Sequence, residues 1–305
     1  MLLLIEQILN GVQLGLLLFL LAAGLTLVFG IMDLVNLAHG SLYMIGAYFA
    51  ATFVDWTGSF VLGALLALPA AFLVGIVLER VALSTLYSRD HLDQVLATFG
   101  LILFFNELVR LVWGPGGRTI PLPAALNGTV PLLPGLDYPI YRLIVILVGG
   151  AVAFLLYWLV AKTRLGMRIR AGASNREMIG ALGVDIRLLY TLVFGIGAAF
   201  AALAGIMAAP ITTAQIGMGE SILIVAFVVI VIGGIGSIRG AFVAALLVGM
   251  IDTMGRAFLP ELLRAIMSAP AANTLAPALA SMLIYLLMAL VLFLRPEGLF
   301  PARRG

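Results

Sequence analysis

Residues Gln7–Met32 read QILNGVQLGLLLFLLAAGLTLVFGIM, with no Asp, Glu, Lys or Arg anywhere in the run. A spanning helix needs roughly 20 mainly apolar residues to cross a hydrocarbon core about 30 Å thick. Inside lipid only helices and closed barrels satisfy their own backbone hydrogen bonds. Five more charge-free runs follow, at Leu34–Val54, Trp56–Leu78, Leu143–Ala161, Leu188–Gly219 and Ala265–Leu294. Gln94–Trp113 reads as a further span, whose Asn106, Glu107 and Arg110 must face other helices or lie near its outer end. Ser221–Gly236 and Gly240–Ile251 are shorter and read as broken helices, with Gly233, Gly234, Gly236 and Gly240 marking the break. The expected fold is all-α: a polytopic transmembrane bundle of roughly eight to nine spans, forming one membrane domain over residues 1–305.

Composition agrees with the runs. The chain is 63% hydrophobic and 10% charged, against about 25% charged in a soluble domain. Mean hydropathy is +1.20, more apolar surface than a soluble fold of this length can hide. No Cys is present, which removes disulfides, thiolate zinc sites and Cys nucleophiles. The two His, His39 and His91, are too far apart for a helical metal pair, so no metal site is expected. The net charge of +3 implies no nucleic-acid partner. The N-terminus lacks the basic region and small-residue cleavage site of a secretory signal, so the first span is expected to stay in the protein.

Basic residues set the orientation, because cytoplasmic loops retain Lys and Arg. With the loop after Ala161 inside, alternation places Arg80, Arg89, Lys162, Arg164, Arg168, Arg170, Arg176, Arg187, Arg239, Arg295, Arg303 and Arg304 inside. Only Arg110, Arg118, Arg142, Arg256 and Arg264 fall outside. This favours an external N-terminus and an internal C-terminus, provided that all nine segments cross. The external loop 114–139 is rich in Pro and Gly and reads as an extended or turn-rich connector, either simply solvated or touching a binding protein.

The most informative polar stretch is the cytoplasmic loop 162–187. Ser174 and Glu177 have capping-box spacing and Gly183 is placed to end a helix, so a short surface helix is predicted. Its Met178, Ile179 and Leu182 form a small apolar face amid Arg, which suggests a protein partner. A second polar set, Asn36, His39, Gly40 and Ser41, stands between two apolar runs. Asn36, His39 and Gly40 would share one helix face, serving either helix packing or a translocation pathway. Gly40-Ser41 with Gly46-Ala47 echoes Gly236-Ser237 with Gly240-Ala241, a pattern that would fit an inverted repeat.

The loop resembles that of ABC-importer permeases, with Glu177 and Gly183 at the spacing of their Glu-Ala-Ala…Gly motif; Met178 and Ile179 replace the two Ala. More extensively, Asn36-Leu37-Ala38-His39-Gly40 leading into Tyr43-Met44-Ile45-Gly46 resembles the smaller of the two paired permease subunits of branched-chain amino acid ABC transporters. So do Gly183-Val184-Asp185, Gly233–Ala241 and Arg295–Phe300, in order along nearly the whole chain. Leu37 stands for a Phe, and Arg239 for a commonly apolar or Pro residue.

The resemblance implies a coupling helix at Ser174–Gly183, docking on one of two cytoplasmic ATPase subunits. It also implies a second homologous permease, a periplasmic substrate-binding protein, and residence in the bacterial inner membrane. The substrate it implies is a branched-chain or other hydrophobic amino acid; urea, amides and aromatic acids are related substrate classes. ATP would be used by the partner, and no cofactor is expected in this chain. Without Gly-x-x-x-x-Gly-Lys-Ser/Thr, and with Lys162 its only Lys, the chain cannot be a P-loop ATPase. Neither a Gly-x-Ser-x-Gly elbow nor a His-Glu-x-x-His pair is present, so an enzyme is disfavoured. An ion-coupled secondary transporter is the rival reading. It needs ionisable groups near the bilayer centre, whereas Asp33, Asp93, Glu107, Glu220 and Asp252 lie near predicted span ends.

Overall fold

A computed structural model describes residues 1–301. The chain is a helical bundle: α1 (Leu2–Met32), α2 (His39–Thr57), α3 (Phe60–Val81), α4 (His91–Trp113), α5 (Ile140–Lys162), α6 (Arg164–Ser174), α7 (Arg176–Ala181), α8 (Ile186–Thr212), α9 (Met218–Gly233), α10 (Ile238–Arg264) and α11 (Ala269–Leu294). Seven of these are long and apolar enough to cross a membrane. α2, with 19 residues, and the 16-residue α9 lie among them as shorter elements.

Loops alternate between two ends. At the hairpin end lie the start of α1, the α4–α5 connector, the α8–α9 link and the α10–α11 turn. The connector holds a two-stranded hairpin, β1 (Thr129–Leu133) and β2 (Leu136–Pro139), antiparallel with an irregularity between Pro131 and Leu133. Gly135, with φ 85, makes its turn. Tyr138 is buried and its hydroxyl donates to Asn10 Oδ1 at 3.0 Å, tying the hairpin to α1. At the opposite end lie α6, α7, the α3–α4 connector and residues 295–301. The described basic residues that sequence reading assigned to the cytoplasm gather at this second end; Arg303 and Arg304 lie outside the described residues.

Several span boundaries differ from the charge-free runs. The run Leu34–Val54 begins with non-helical chain, and α2 starts only at His39. Leu188–Gly219 divides after Thr212, because Thr213 turns to φ 65 within three residues of Pro210. A break written in Pro, Thr and Gly leaves no charge for a hydropathy reading to find. Conversely, the expected short segment Gly240–Ile251 continues to Arg264. Asp252 and Arg256 form an i,i+4 pair at 2.9 Å, which lets the helix carry both charges past Ile251.

The two halves are related. α1 ends at Asp33 with φ 52 and α8 ends at Thr213 with φ 65, the two non-glycine residues of positive φ among the described residues. Each break leads into a second, shorter helix, α2 or α9. α3 then packs on α8 as α10 packs on α1. Because α1 and α8 run in opposite directions, this is an inverted repeat. The sequence echo matched the wrong glycines, however. Gly40 corresponds to Gly219, each the second residue of its helix, and not to Gly236.

The core closes by backbone approach, as expected where lipid is as apolar as the helices and van der Waals packing must hold them. A Cβ at Gly40 would lie 2.3 Å from the Gly219 carbonyl oxygen, and one at Gly219 would lie 2.1 Å from that of Gly40. α2 and α9 leave this crossing toward opposite ends, so both helices begin inside the bundle.

Candidate functional site

α7 is short and defined at both ends. Asn175 is its N-cap, its side chain accepting from the Met178 amide at 2.9 Å. Ser174 is the last residue of α6, so the expected Ser174–Glu177 capping box does not form; the cap stands one residue later. At the other end Gly183, with φ 86, donates to Gly180 O at 3.0 Å, and Val184 donates to Ile179 O at 3.3 Å. This is the Schellman arrangement, and the left-handed residue it needs is the glycine. The expected apolar face divides. Ile179 is 6% exposed and anchors the helix, while Met178 and Leu182 are 59% and 76% exposed.

Behind α7 lies a cavity of about 890 Å³ lined by Glu79, Arg80, Tyr87, Arg176, Asp185 and Arg187, among others. Glu79, just past the charge-free run Trp56–Leu78 and not singled out in the sequence, is 3% exposed. It accepts from the Tyr87 hydroxyl at 2.5 Å and from Thr191 Oγ1 at 2.8 Å. Burial and the bond to Glu79 push the Tyr87 phenol up, so it stays a donor. Arg176 belongs to α7 and Asp185 caps α8. The cavity therefore joins the surface helix to α3 and α8.

The second set lies deeper. Asn36 is fully buried in the non-helical segment 33–38, not on α2, so it does not share a helix face with His39 and Gly40. Its side chain closes a local turn by accepting from the Ala38 amide at 3.0 Å. His39 and Ser41 are enclosed at 0% and 4% exposure. The His39 ring lies against Gly24 and the Leu21 carbonyl without an ordinary hydrogen bond. Gly40 forms the crossing with Gly219.

α4 holds this segment with a seam of polar residues. Gln94 Oε1 accepts from the Val35 amide at 3.1 Å, and Thr98 Oγ1 accepts from the Leu37 amide at 3.2 Å. Farther along, Asn106 Nδ2 donates to Glu220 Oε1, and Trp113 Nε1 donates to Thr52 Oγ1 at 2.7 Å. Gln94 and Thr98, one turn apart in a charge-poor span, were the available signal for this role. Glu220 stands next to Gly219 at the central crossing. It is at a helix end, as expected, but that end lies within the bundle.

The glycines of the break form a tight link. A Cβ at Gly233 would lie 2.4 Å from Gly240 C, and one at Gly240 would lie 2.0 Å from Gly233 O. Gly234 and Gly236 have φ 101 and φ 81. Ser237 caps α10 by accepting from the Gly240 amide at 3.1 Å. The Leu299 and Phe300 amides donate to Ile232 O and Gly233 O at 2.8 and 3.0 Å, so the C-terminal segment satisfies the carbonyl end of α9.

An inverted-repeat membrane bundle with two half-helices meeting inside it, and a capped helix presented at its basic end, has the form of a transport permease. The family described as "Branched-chain amino acid transport system / permease component" matches residues 7–292. The chain belongs to this family: it is a multi-pass transport permease subunit and not an enzyme. It is 31% identical over 263 residues to the "High-affinity branched-chain amino acid transport system permease protein BraD" of Pseudomonas aeruginosa, covering 82% of this chain and 86% of that protein. Identity to the LivH permease protein of Escherichia coli strain K12, of the same description, is 31% over 273 residues, covering 84% and 87%. The "Autoinducer 2 import system permease protein LsrC" of Salmonella choleraesuis is 28% identical over 202 residues, covering 61% and 55%. No solved structure matches.

Proposed function

We propose that this chain is the permease subunit of an ABC importer that brings branched-chain or other hydrophobic amino acids into the cytoplasm. It pairs with a second homologous permease in the bacterial inner membrane, takes substrate from a periplasmic binding protein at the hairpin end, and is driven by two cytoplasmic ATPase subunits. The family and its relatives support the substrate class. The basic end is the cytoplasmic one by the distribution of Lys and Arg.

The observation that carries the coupling role is α7 itself. Its backbone is closed at both ends and Ile179 holds it to the bundle, yet Met178 and Leu182 project. These two side chains are the contact for a groove on the ATPase, with Ser174, Glu177 and Gly183 shaping the segment around them. Motion passes through the cavity between Arg176, Asp185 and Glu79 to α3 and α8. Asn36, His39, Gly40 and Ser41 act as the packed hub on which the half-helices turn. The Gly233–Gly240 link lets α9 and α10 move together.

Crosslinking tests the docking. Met178→Cys and Leu182→Cys should join to a cysteine-substituted ATPase in the assembled transporter, while buried Ile179→Cys should not. Equal reaction at all three positions, or none at any, overturns the assignment.

A further inference from the structure

We infer that Glu220 takes the ammonium group of the substrate as it passes through the membrane. The inference rests on the amino-acid importer reading and extends it to a particular side chain.

Gly219 packs on Gly40 where α2 and α9 both begin, and the two helices run from there to opposite ends. Along α4, Asn106 lies seven residues before Trp113, about 10 Å in from the helix end. Glu220 is bonded to Asn106, so its carboxylate lies within the spanning layer and not at a loop.

The second observation is exposure. Glu220 and Ser221 are both exposed on α9, and no cation pairs with Glu220 among the described residues. A carboxylate facing hydrocarbon is strongly unfavourable, so ionisable groups at this depth face a water-filled path or a polar partner. Directly after Asn106 on the way to the hairpin end, α4 presents the exposed pair Glu107–Arg110, at 2.8 Å. This surface is polar where the rest of α4 shows Leu96, Phe99 and Leu103 to its surroundings.

The third observation comes from the repeat. With Gly40 matched to Gly219, the counterpart of Glu220 is Ser41, which is 4% exposed. One half of the repeat thus packs a small polar side chain here, while the other carries a charged carboxylate that packing does not enclose. A zwitterionic amino acid has an apolar side chain that can cross beside Ile224, exposed one turn along α9, but its ammonium group needs an anionic acceptor. Glu220 supplies one, and Asn106 is the positioning residue that orients it.

The absence of Cys from this chain makes the test direct. The complete transporter, with partner cysteines removed, is reconstituted in proteoliposomes with the ATPases inside and the binding protein outside, and leucine uptake is followed. Glu220→Gln keeps a hydrogen-bond acceptor for Asn106 and should still copurify with the ATPases, yet lower leucine uptake by about tenfold, the scale of one charge-assisted contact. Glu220→Cys should react from outside with both anionic sulfonatoethyl and cationic trimethylammonioethyl methanethiosulfonate. Only the anionic adduct should restore uptake. Phe154→Cys, exposed on the separate helix α5, should remain unlabelled and transport normally.

Uptake by Glu220→Gln within twofold of wild type, no labelling at position 220, or equal rescue by both adducts each overturns the inference. A wild-type complex that takes up no leucine or other amino acid contradicts the importer reading instead.

Discussion

The crossing of α2 and α9 makes a quantitative prediction about a pair of substitutions. In Gly40→Ala the new Cβ falls 2.3 Å from the Gly219 carbonyl oxygen, and in Gly219→Ala it falls 2.1 Å from the Gly40 carbonyl oxygen. Relief to an ordinary contact requires the two backbones to part by about 1 Å. Overpacking of this kind costs about 1–3 kcal/mol per substitution. Because the contact is reciprocal, the separation forced by one methyl accommodates much of the other. The double variant should cost less than the sum of the singles, with a coupling energy of about 1 kcal/mol or more. Gly100→Ala is the control, since nothing lies within 4 Å of its added Cβ and alanine is the better helix former. It should be neutral or slightly stabilising. The assay is reversible unfolding in mixed micelles, followed by loss of helical circular dichroism. Strict additivity, or a neutral Gly40→Ala, would refute the account of two half-helices meeting backbone to backbone.

Three further outcomes follow from the basic end and the hairpin end. Gly183→Pro removes the amide that bonds to Gly180 O and cannot adopt φ 86, so ATP hydrolysis should persist without matching uptake; normal coupled uptake would contradict the role of α7. Glu79→Ala takes away the acceptor of the half-buried Tyr87 hydroxyl and one of the two acceptors within reach of the buried Thr191 hydroxyl, the other being Arg187 O, and should destabilise the permease by about 1–3 kcal/mol. Glu79→Gln, which keeps an acceptor oxygen, should lose clearly less, as read by the same unfolding titration. Arg118→Ala removes an exposed pair with Asp55 at 3.2 Å and should change stability by less than about 1 kcal/mol, because the bond from the Arg118 amide to Ala214 O remains.

Much of the bundle was legible because charge-free runs mark where a chain can lie in lipid. The end of α1 at Met32 and the end of α11 at Leu294 coincide with the ends of their runs for that reason. The breaks were less visible. Leu34 to Ala38 is apolar enough to pass as helix, but Gln94 and Thr98 of α4 hold its amides in a non-helical path. Pro210 and Thr213 end α8 inside an uninterrupted apolar run. Long-range side-chain bonds and a single left-handed residue leave no periodic signal.

The surface helix α7 was readable in outline from Gly183 and the polar stretch before it. Its cap was misplaced by one residue because Ser174 and Asn175 are both competent N-caps, and only the geometry of the α6–α7 junction selects Asn175. Ile179 and Met178 are neighbours in sequence, and the docking of α7 decides which is buried. Glu220 was read as a span-end charge, since sequence position says nothing of how deeply an end is set.

The central claim is that transport through this chain is powered by a separate ATPase acting at α7. The measurement that tests it most directly is leucine uptake into proteoliposomes holding the two permeases, with the binding protein outside, measured with and without the ATPase subunits and internal ATP. The account predicts accumulation against a gradient only when ATPase and ATP are both present, and its loss when Met178 and Leu182 are both changed to Asp. Accumulation driven by an ion gradient in vesicles lacking the ATPase would contradict it.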